Sequence, residues 1–150
     1  MNEVNYSVLA AQAEALIKDV PHRTANLANL SALIFHELGE VNWAGFYFVE
    51  GDRLVLGPFQ GRVACIEIPM GRGVCGTAAA RDETQIVPDV DLFEGHIACD
   101  SASRSEIVVP LHSGGRVIGV LDIDSAVRAR FSETDRAGLE ALAAVIERYI

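Results

Sequence analysis

The residues of this chain with the most evident chemistry are its three cysteines, Cys65, Cys75 and Cys99. Each lies in a stretch rich in glycine, proline or charge, whereas a structural free cysteine usually behaves as a small buried hydrophobic residue. None belongs to a Cys-X-X-Cys pair. Thiols on glycine-rich turns and loops can meet a substrate, a metal or one another. The three cysteines are therefore the first candidates for a functional site.

Cys99 and Cys75 have different local settings. Cys99 lies in a predicted loop and is a candidate nucleophile if a nearby cation or helix N-terminus lowers the pKa of its thiol. His96 and Arg104 are the local candidates for that cation. Cys75 lies at a predicted helix start, where the helix dipole would favour a thiolate. Tight packing of a small residue explains Cys75 equally well, and a buried loop anchor is the alternative for Cys99.

Acidic and aromatic residues are predicted to share one face of a sheet. Successive side chains of a strand point to opposite faces, so Trp43 lies on the same face as Tyr47, and Asp122 on the same face as Asp124. Glu106 alternates against apolar neighbours in the preceding strand. If the apolar face packs on helices, these five side chains gather on the opposite face.

Such a face suits a small ligand that carries a cation. Carboxylates would hold an ammonium group, and aromatic rings would hold an apolar or cationic part. Clustered carboxylates raise one another's pKa, so that one could act as an acid near neutral pH. A solvated sheet face would explain a single aspartate. Two acids at i and i+2 beside an aromatic pair favour a site.

Two other chemistries fit parts of the pattern but are not favoured. The segment Gly71–Gly76 matches G-X-G-X-X-G after a strand, but the helix predicted to follow is too short for a dinucleotide-binding crossover. Cys65, Cys75, Cys99 and His96 could offer three thiolates and an imidazole to zinc, but no Cys-X-X-Cys knuckle supports this. We therefore expect no bound metal or cofactor. The remaining histidines, predicted to be surface or helix-end residues, are His22, His36 and His112.

The composition excludes several classes of partner. The chain has 150 residues, which predicts one domain over 1–150, and half of them are hydrophobic. The net charge of −9 disfavours a nucleic acid or an anionic membrane surface. We expect no membrane span and no signal peptide, because the longest apolar runs are short and Met1–Tyr6 lacks a basic region. An odd number of cysteines then points to the reducing cytoplasm.

The elements that must position these residues follow from periodicity and turn signals. The stretch from Asp89 to Arg104 has no clear period and is predicted to be a long loop. Ser132 with Asp135 resembles a helix capping box. This order predicts an α+β fold: an antiparallel sheet with terminal helices on one face and a ligand pocket under the middle loops on the other. The predicted elements are helices over 6–20, 24–38 and 77–81, strands over 41–49, 53–57, 64–68, 106–112 and 116–124, and a helix from Ser132 to the C-terminus.

Six segments together resemble one family, the free methionine-(R)-sulfoxide reductases, which are stand-alone GAF domains. The resemblance runs from about the second helix to the C-terminus. The cysteine spacings of ten and twenty-four residues fit it, and ordinary signalling GAF domains lack both the three cysteines and this acidic set. The segments are 42–47, 57–61, 71–78, 95–100, 105–110 and 119–124.

The resemblance implies a GAF-like fold and a thiol mechanism. The fold has a central sheet of about six strands, and the protein is expected to be a homodimer held by its N- and C-terminal helices. Cys99 attacks the sulfur of free methionine-(R)-sulfoxide and becomes a sulfenic acid. Cys65 condenses with it to a disulfide, which thioredoxin reduces. Cys75 has a supporting role, although the order of attack between Cys99 and Cys75 is left open.

The same resemblance assigns the binding pocket. Trp43 and Tyr47 line it for the methyl group and side chain of the substrate. One carboxylic acid of the set Glu106, Asp122 and Asp124 protonates or hydrogen-bonds the sulfoxide oxygen, and the other two bind the α-ammonium. Which of the three is the acid is left open. The competing hypotheses are a non-enzymatic GAF sensor, which would have to act through a partner, and a zinc-binding protein.

Overall fold

The computed structural model of the protein describes residues 3–97, 99 and 102–150. Parts of the predicted loop 89–104 and of the segment 95–100 therefore lie outside the described residues, as do the first two residues of the chain: the positions are Met1, Asn2, Ala98, Asp100 and Ser101. The elements in chain order are α1 (Tyr6–Ile17), α2 (Arg23–Glu37), β1 (Trp43–Glu50), β2 (Arg53–Gly61), β3 (Glu67–Pro69), α3 (Gly73–Arg81), β4 (Gln85–Val87), a 3₁₀ turn (Val90–Leu92), β5 (Ser105–Ser113), β6 (Arg116–Ser125) and α4 (Glu133–Glu147).

The six strands form one sheet in the order β3-β2-β1-β6-β5-β4, and every neighbouring pair is antiparallel. The first and last long strands, β1 and β6, therefore lie side by side at its centre. Their register pairs Trp43 with Asp124, and β5 pairs Glu106 with the same Asp124. Residues far apart in sequence are thus brought onto one line across the sheet, and the predicted α+β class is confirmed.

Helices α1, α2 and α4 cover one face of the sheet. Their apolar stripes meet the alternate side chains of β1, β5 and β6, so that Phe46, Ile107 and Leu121 are fully buried. Replacing such a side chain with alanine costs about 3–5 kcal/mol for Phe, because a cavity remains. The predicted capping box is present at the start of α4, where Ser132 and Asp135 satisfy each other's backbone N–H groups. None of the described helices combines the length and apolarity needed to cross a bilayer.

Helix α3 and the loops before β3 and β5 cover the opposite face. Trp43 and Tyr47 belong to this second apolar layer, as the alternation of β1 predicts. Gly73 begins α3 with a φ of +62°, and the side chain of Ile97 lies against the place where a Cβ would stand. A side chain at position 73 would therefore be strained and would push the loop that carries Cys99 away from α3.

Two strands differ from the prediction for identifiable reasons. Strand β2 continues past Gly57 to Gly61, although it contains Pro58. The β1–β2 register shifts between Gly45 and Tyr47, so Pro58 lies in a bulge, where proline is tolerated. The strand predicted over 64–68 is instead β3 at Glu67–Pro69, and residues 62–66 form a loop.

Other boundaries were also shifted or missed. Helix α1 ends at Ile17 rather than Val20, because Asp19 takes a left-handed conformation. Strand β4 lies in a stretch too short for a period to be detected. Helix α3 begins at Gly73, four residues before the predicted start, so Cys75 lies inside a helix and not on a loop.

Candidate active site

A disulfide joins Cys65 to Cys99, with their Cα atoms 5.3 Å apart. It links the loop before β3 to the loop before β5, across 34 residues of sequence. Both cysteines are half-buried. The bond confirms the pairing that the family resemblance implies. The alternative set of four zinc ligands is not available in this form, because the disulfide takes up the sulfurs of Cys65 and Cys99.

Seven of the eight predicted site residues line a single cavity of about 40 Å³ between the sheet and these loops. The eighth, Cys65, is bonded to Cys99 in the cavity wall but does not line the cavity itself. The wall is completed by His96, a candidate cation or zinc ligand in the sequence, and by residues to which sequence reasoning gave no binding role, because nothing local marks them. The lining residues are Trp43, Tyr47, Ala64, Ile68, Val74, Cys75, His96, Ile97, Cys99, Ser103, Glu106, Asp122 and Asp124.

The three predicted carboxylates lie on adjacent central strands. Asp124 pairs with Glu106 in the register of β5 and β6, and Asp122 comes two residues before it on the same face. They are only 5–8% exposed. The alternative of a solvated sheet face is therefore wrong, because α3 and the loops remove this face from water.

Burial controls the protonation of this cluster. It raises the pKa of Glu106 well above its ordinary value, and the nearby charges of Asp122 and Asp124 raise it further. Burial also raises the pKa of Asp122, although hydrogen bonds from Glu106 and Cys75 act in the opposite direction. Three such carboxylates cannot all be charged in so dry a site. The cluster therefore shares protons as a unit and can donate one near neutral pH.

One oxygen of this cluster lacks a donor. Asp122 Oδ1 is buried and has no hydrogen-bond partner among the described residues. A buried acceptor left unpaired costs about 1–3 kcal/mol. The site therefore favours a ligand that supplies an N–H or O–H group, and an ammonium group would also meet the charge of the cluster.

Cys75 lies beneath the carboxylates rather than at the surface. Its buried Sγ donates a hydrogen bond of 3.9 Å to Glu106 Oε2. Burial raises the pKa of the Cys75 thiol well above its ordinary value, and Asp122 and Glu106 raise it further. The expectation that the helix dipole favours a thiolate here is therefore wrong for this form. Within the described part of the chain, the donors close enough to hold a metal ion together are Cys75, Glu106 and Asp122, all within 4.8 Å of one another.

Trp43 and Tyr47 stack with a ring-centroid distance of 5.9 Å and form the aromatic wall of the cavity. They also hold the loop that carries Cys65. The Trp43 indole Nε1–H donates to the Arg62 carbonyl at 3.0 Å, and the Tyr47 hydroxyl donates to the Cys65 carbonyl at 3.0 Å. Sequence reasoning missed this second role, because the two hydrogen bonds connect positions 18 and 19 residues apart.

His96 is the cation candidate that reaches the cavity. Its Nε2 lies 3.9 Å from Glu106 Oε1, and burial lowers the pKa of its imidazole. Arg104, the other candidate, donates to the Ser103 carbonyl and does not line the cavity. His112, predicted to be a surface or helix-end residue, lies between Asp82 at the end of α3 and Glu147 at the end of α4, and it does not line the cavity.

Comparisons with known proteins agree on the family. A family model described as GAF domain matches residues 24–150. The free methionine-R-sulfoxide reductase of Escherichia coli is 53% identical over 145 residues, which cover 97% of this chain and 88% of that protein. The enzyme of the same name from Saccharomyces cerevisiae is 51% identical over 131 residues, covering 82% of this chain and 73% of that protein.

A solved structure extends the agreement to three dimensions. It is the free methionine-R-sulfoxide reductase from Neisseria meningitidis in complex with its substrate. Its chain superposes on this one with a TM-score of 0.93 at 51% identity, covering 96% of this chain and 87% of that one. At this similarity the fold and the arrangement of elements around the cavity are shared.

Proposed function

The chain belongs to the free methionine-R-sulfoxide reductases, a family of GAF-domain enzymes, and we propose that it reduces free L-methionine-(R)-sulfoxide by thiol chemistry centred on Cys99. It is therefore an oxidoreductase. The proposal covers the roles of the cysteines, the acid, the reductant and the assembly.

One observation carries the proposal. Cys99, half of the disulfide, lines the same cavity as three buried carboxylates, one of which has an unpartnered oxygen. A nucleophilic sulfur, a source of protons and an acceptor for an ammonium group therefore surround one space. An amino acid with a sulfoxide side chain requires these three features together.

The first step is transfer of oxygen between two sulfur atoms. The Cys99 thiolate attacks the sulfoxide sulfur, and a carboxylic acid of the buried cluster gives a proton to the sulfoxide oxygen. The oxygen passes to Cys99 as the S–O bond of the substrate breaks, which leaves methionine and a Cys99 sulfenic acid. Glu106 is suited to be the acid, because burial holds its pKa high.

The second step forms the disulfide seen in this structure. The Cys65 thiol attacks the Cys99 sulfenic acid, and water leaves with the oxygen that came from the substrate. Thioredoxin then reduces the bond by thiol exchange. The net reaction consumes two electrons and two protons from thioredoxin, and yields methionine and water. Cys75 supports this cycle as a protonated hydrogen-bond donor to Glu106.

The remaining carboxylates account for selectivity. Asp122 Oδ1 would accept a hydrogen bond from the α-ammonium of the free amino acid. A methionine sulfoxide within a peptide has an amide instead, which offers a single N–H and no charge. The aromatic wall of Trp43 and Tyr47 would pack against the aliphatic part and the methyl group.

The assembly and location are also part of the proposal. Helix α1 exposes Val8 and Leu16 while packing against α4, which supports a homodimer formed through the terminal helices. A disulfide that must open in every turnover supports a location in the reducing cytoplasm.

The decisive assay measures NADPH oxidation with thioredoxin, thioredoxin reductase and free methionine-(R)-sulfoxide. Turnover is expected with this substrate and not with the S epimer or a peptide-bound sulfoxide. If the protein binds the sulfoxide but reduces none of it, even with excess dithiothreitol, the enzyme proposal fails and a ligand-binding sensor takes its place.

A further inference from the structure

The loop over residues 62–66 exposes apolar side chains next to the disulfide. Val63 is 86% exposed and Ile66 is 70% exposed, and they lie two residues before and one residue after Cys65. Among the described large hydrophobic residues, Leu92 is the only other one more than 60% exposed. Single exposed apolar residues are ordinary. Here, however, two of the three most exposed flank a bond that has to react with an external thiol.

Hydrogen bonds from strands β1 and β2 hold the backbone of this loop in place. Besides the bonds from Trp43 and Tyr47 to the carbonyls of Arg62 and Cys65, the backbone N–H of Leu56 donates to the Ile66 carbonyl at 2.9 Å. The apolar side chains are therefore presented outward by an ordered backbone. A preformed surface loses little conformational entropy when a partner covers it.

The two sulfurs of the disulfide are not equivalent to an incoming thiol. Cys99 lines the cavity, whereas Cys65 does not. The cavity lies between the sheet and the loops, where a free amino acid can enter but a thiol carried on the surface of a folded partner protein cannot. Cys65 lies on the loop that carries the exposed Val63 and Ile66, so a partner that covers this loop places its thiol beside Cys65.

Charge also suits a protein partner at this surface. The loop 62–66 contains Arg62 and no acidic residue, although the whole chain carries a net charge of −9. The exposed Glu67 that follows the loop is paired with Arg53 at 3.5 Å, so the charge that the loop itself places beside Cys65 is positive and suits a partner with a neutral or acidic surface around its thiols.

On the basis of the function proposed above, the geometry points to loop 62–66 as the docking surface for a small dithiol oxidoreductase, whose thiolate attacks Cys65. A bond forms between the sulfur of the reductant and Cys65 Sγ. The Cys65–Cys99 bond breaks, and its electron pair leaves on Cys99 as a thiolate at the cavity. The second thiol of the reductant, once deprotonated, attacks the mixed disulfide and releases Cys65. The reductant ends as its own disulfide.

The attacked sulfur is identified by trapping. Enzyme in its disulfide form is mixed with a thioredoxin whose second active-site cysteine is replaced by serine, and the adduct is mapped by peptide mass spectrometry. We expect the adduct on Cys65, and an adduct mainly on Cys99 overturns the inference. The mapping requires only the disulfide, so its outcome does not depend on whether the protein reduces a sulfoxide.

The docking surface is tested with the double variant Val63→Ser/Ile66→Ser. We expect the KM for thioredoxin to rise about tenfold, which corresponds to about 1.4 kcal/mol, while recycling by dithiothreitol stays at the wild-type rate. Val8→Ser is the matched control, because Val8 is 50% exposed on the helix-covered side of the sheet. A double variant that uses thioredoxin as well as the wild type does overturns the docking surface. Absence of sulfoxide reduction by the wild type with dithiothreitol would instead overturn the proposed function.

Discussion

The Tyr47 hydroxyl donates a hydrogen bond to the backbone carbonyl of Cys65 at 3.0 Å. This contact makes the aromatic wall of the cavity and the loop of the second cysteine one structural unit. In the proposed cycle the bond between Cys65 and Cys99 forms and opens once per turnover. We therefore expect the hydrogen bond from Tyr47 to keep the Cys65 backbone in place during that cycle.

Removing this hydroxyl should slow disulfide formation rather than the reduction of substrate. In Tyr47→Phe the Cys65 carbonyl loses a partner, at a cost of about 1–3 kcal/mol, and the loop becomes less ordered. We expect one equivalent of methionine to form at near the wild-type rate, and the Cys65–Cys99 bond to form several times more slowly. Rapid-quench measurement of methionine, with alkylation of free thiols, separates the two steps.

Tyr6→Phe is the matched control for this variant. The Tyr6 hydroxyl also donates to a buried partner, Asp135 Oδ1 at 2.6 Å, but on the helix-covered side of the sheet. A similar loss of stability with normal disulfide formation is expected. Equal effects of both variants on disulfide formation would show that general destabilisation, and not the Cys65 contact, is responsible.

Serine variants of the two disulfide-bonded cysteines should stop the catalytic cycle at different steps. Cys99→Ser is expected to form no methionine, even in a single turnover, because the oxygen-accepting sulfur is gone. Cys65→Ser should form about one equivalent and then stop with thioredoxin as the reductant, because Cys99 remains a sulfenic acid. Methionine is quantified by amino-acid analysis, and the sulfenic acid by a dimedone adduct. One full equivalent from Cys99→Ser would transfer the nucleophilic role to another thiol.

Cys75 should prove to support sulfoxide reduction without being essential for it. Cys75→Ser keeps a donor to Glu106 in a site of nearly the same size, so we expect single-turnover yield and thioredoxin recycling to persist with less than a tenfold loss in rate. Steady-state assays beside the Cys99→Ser variant measure this difference. A Cys75→Ser protein that is folded yet forms no methionine contradicts the assignment.

The carboxylate cluster should control the pH dependence of the chemical step. Because burial raises the pKa of Glu106, its acid form is present below that raised pKa and is lost as the pH rises through it. We therefore expect the single-turnover rate of the wild type to fall as the pH rises through the pKa of Glu106. Glu106→Gln and Asp124→Asn should lower the rate about 100-fold or more while the proteins stay folded.

The exposed Glu67 provides a control for this experiment. Glu67→Gln makes the same chemical substitution as Glu106→Gln but outside the cavity, and wild-type rates are expected. Normal kinetics in both Glu106→Gln and Asp124→Asn would remove the acidic cluster from the mechanism.

His112 should make stability depend on pH at a place remote from the cavity. Its imidazole lies between Asp82 and Glu147, and the hydrogen bond to Asp82 raises its pKa above the ordinary 6.5. Its stabilising contribution is therefore complete below 6.5 and is lost as the pH rises through the higher pKa of the folded protein. The Tm difference between wild type and His112→Gln should shrink from about pH 6 to pH 9. A constant difference over this range would show that the contribution does not depend on protonation of His112.

The sequence was most informative where a pattern is local. Alternation along β1 and β6 assigned Trp43 and Tyr47 to the face opposite Phe46, and Asp122 and Asp124 to the face opposite Ile123, and both assignments are confirmed. The capping box at Ser132 follows from spacing alone. The prediction failed where pairing with another strand overrode a local rule. The second strand was predicted to end at Gly57, before Pro58, but a bulge against β1 accommodates the proline and the strand continues.

By itself, the sequence determined the α+β class, the two faces of the sheet, the family and the set of thiols and carboxylates. Only the tertiary structure decided that Cys75 is buried with a raised pKa, that Cys65 does not line the cavity, and that Trp43 and Tyr47 hold the loop before β3. The reason is physical. Periodicity reports which way a side chain points, but burial, pKa and non-local hydrogen bonds depend on which distant segments pack above it. The antiparallel register sets the line from Trp43 through Asp124 to Glu106, and the packing of α3 and the loops buries that line.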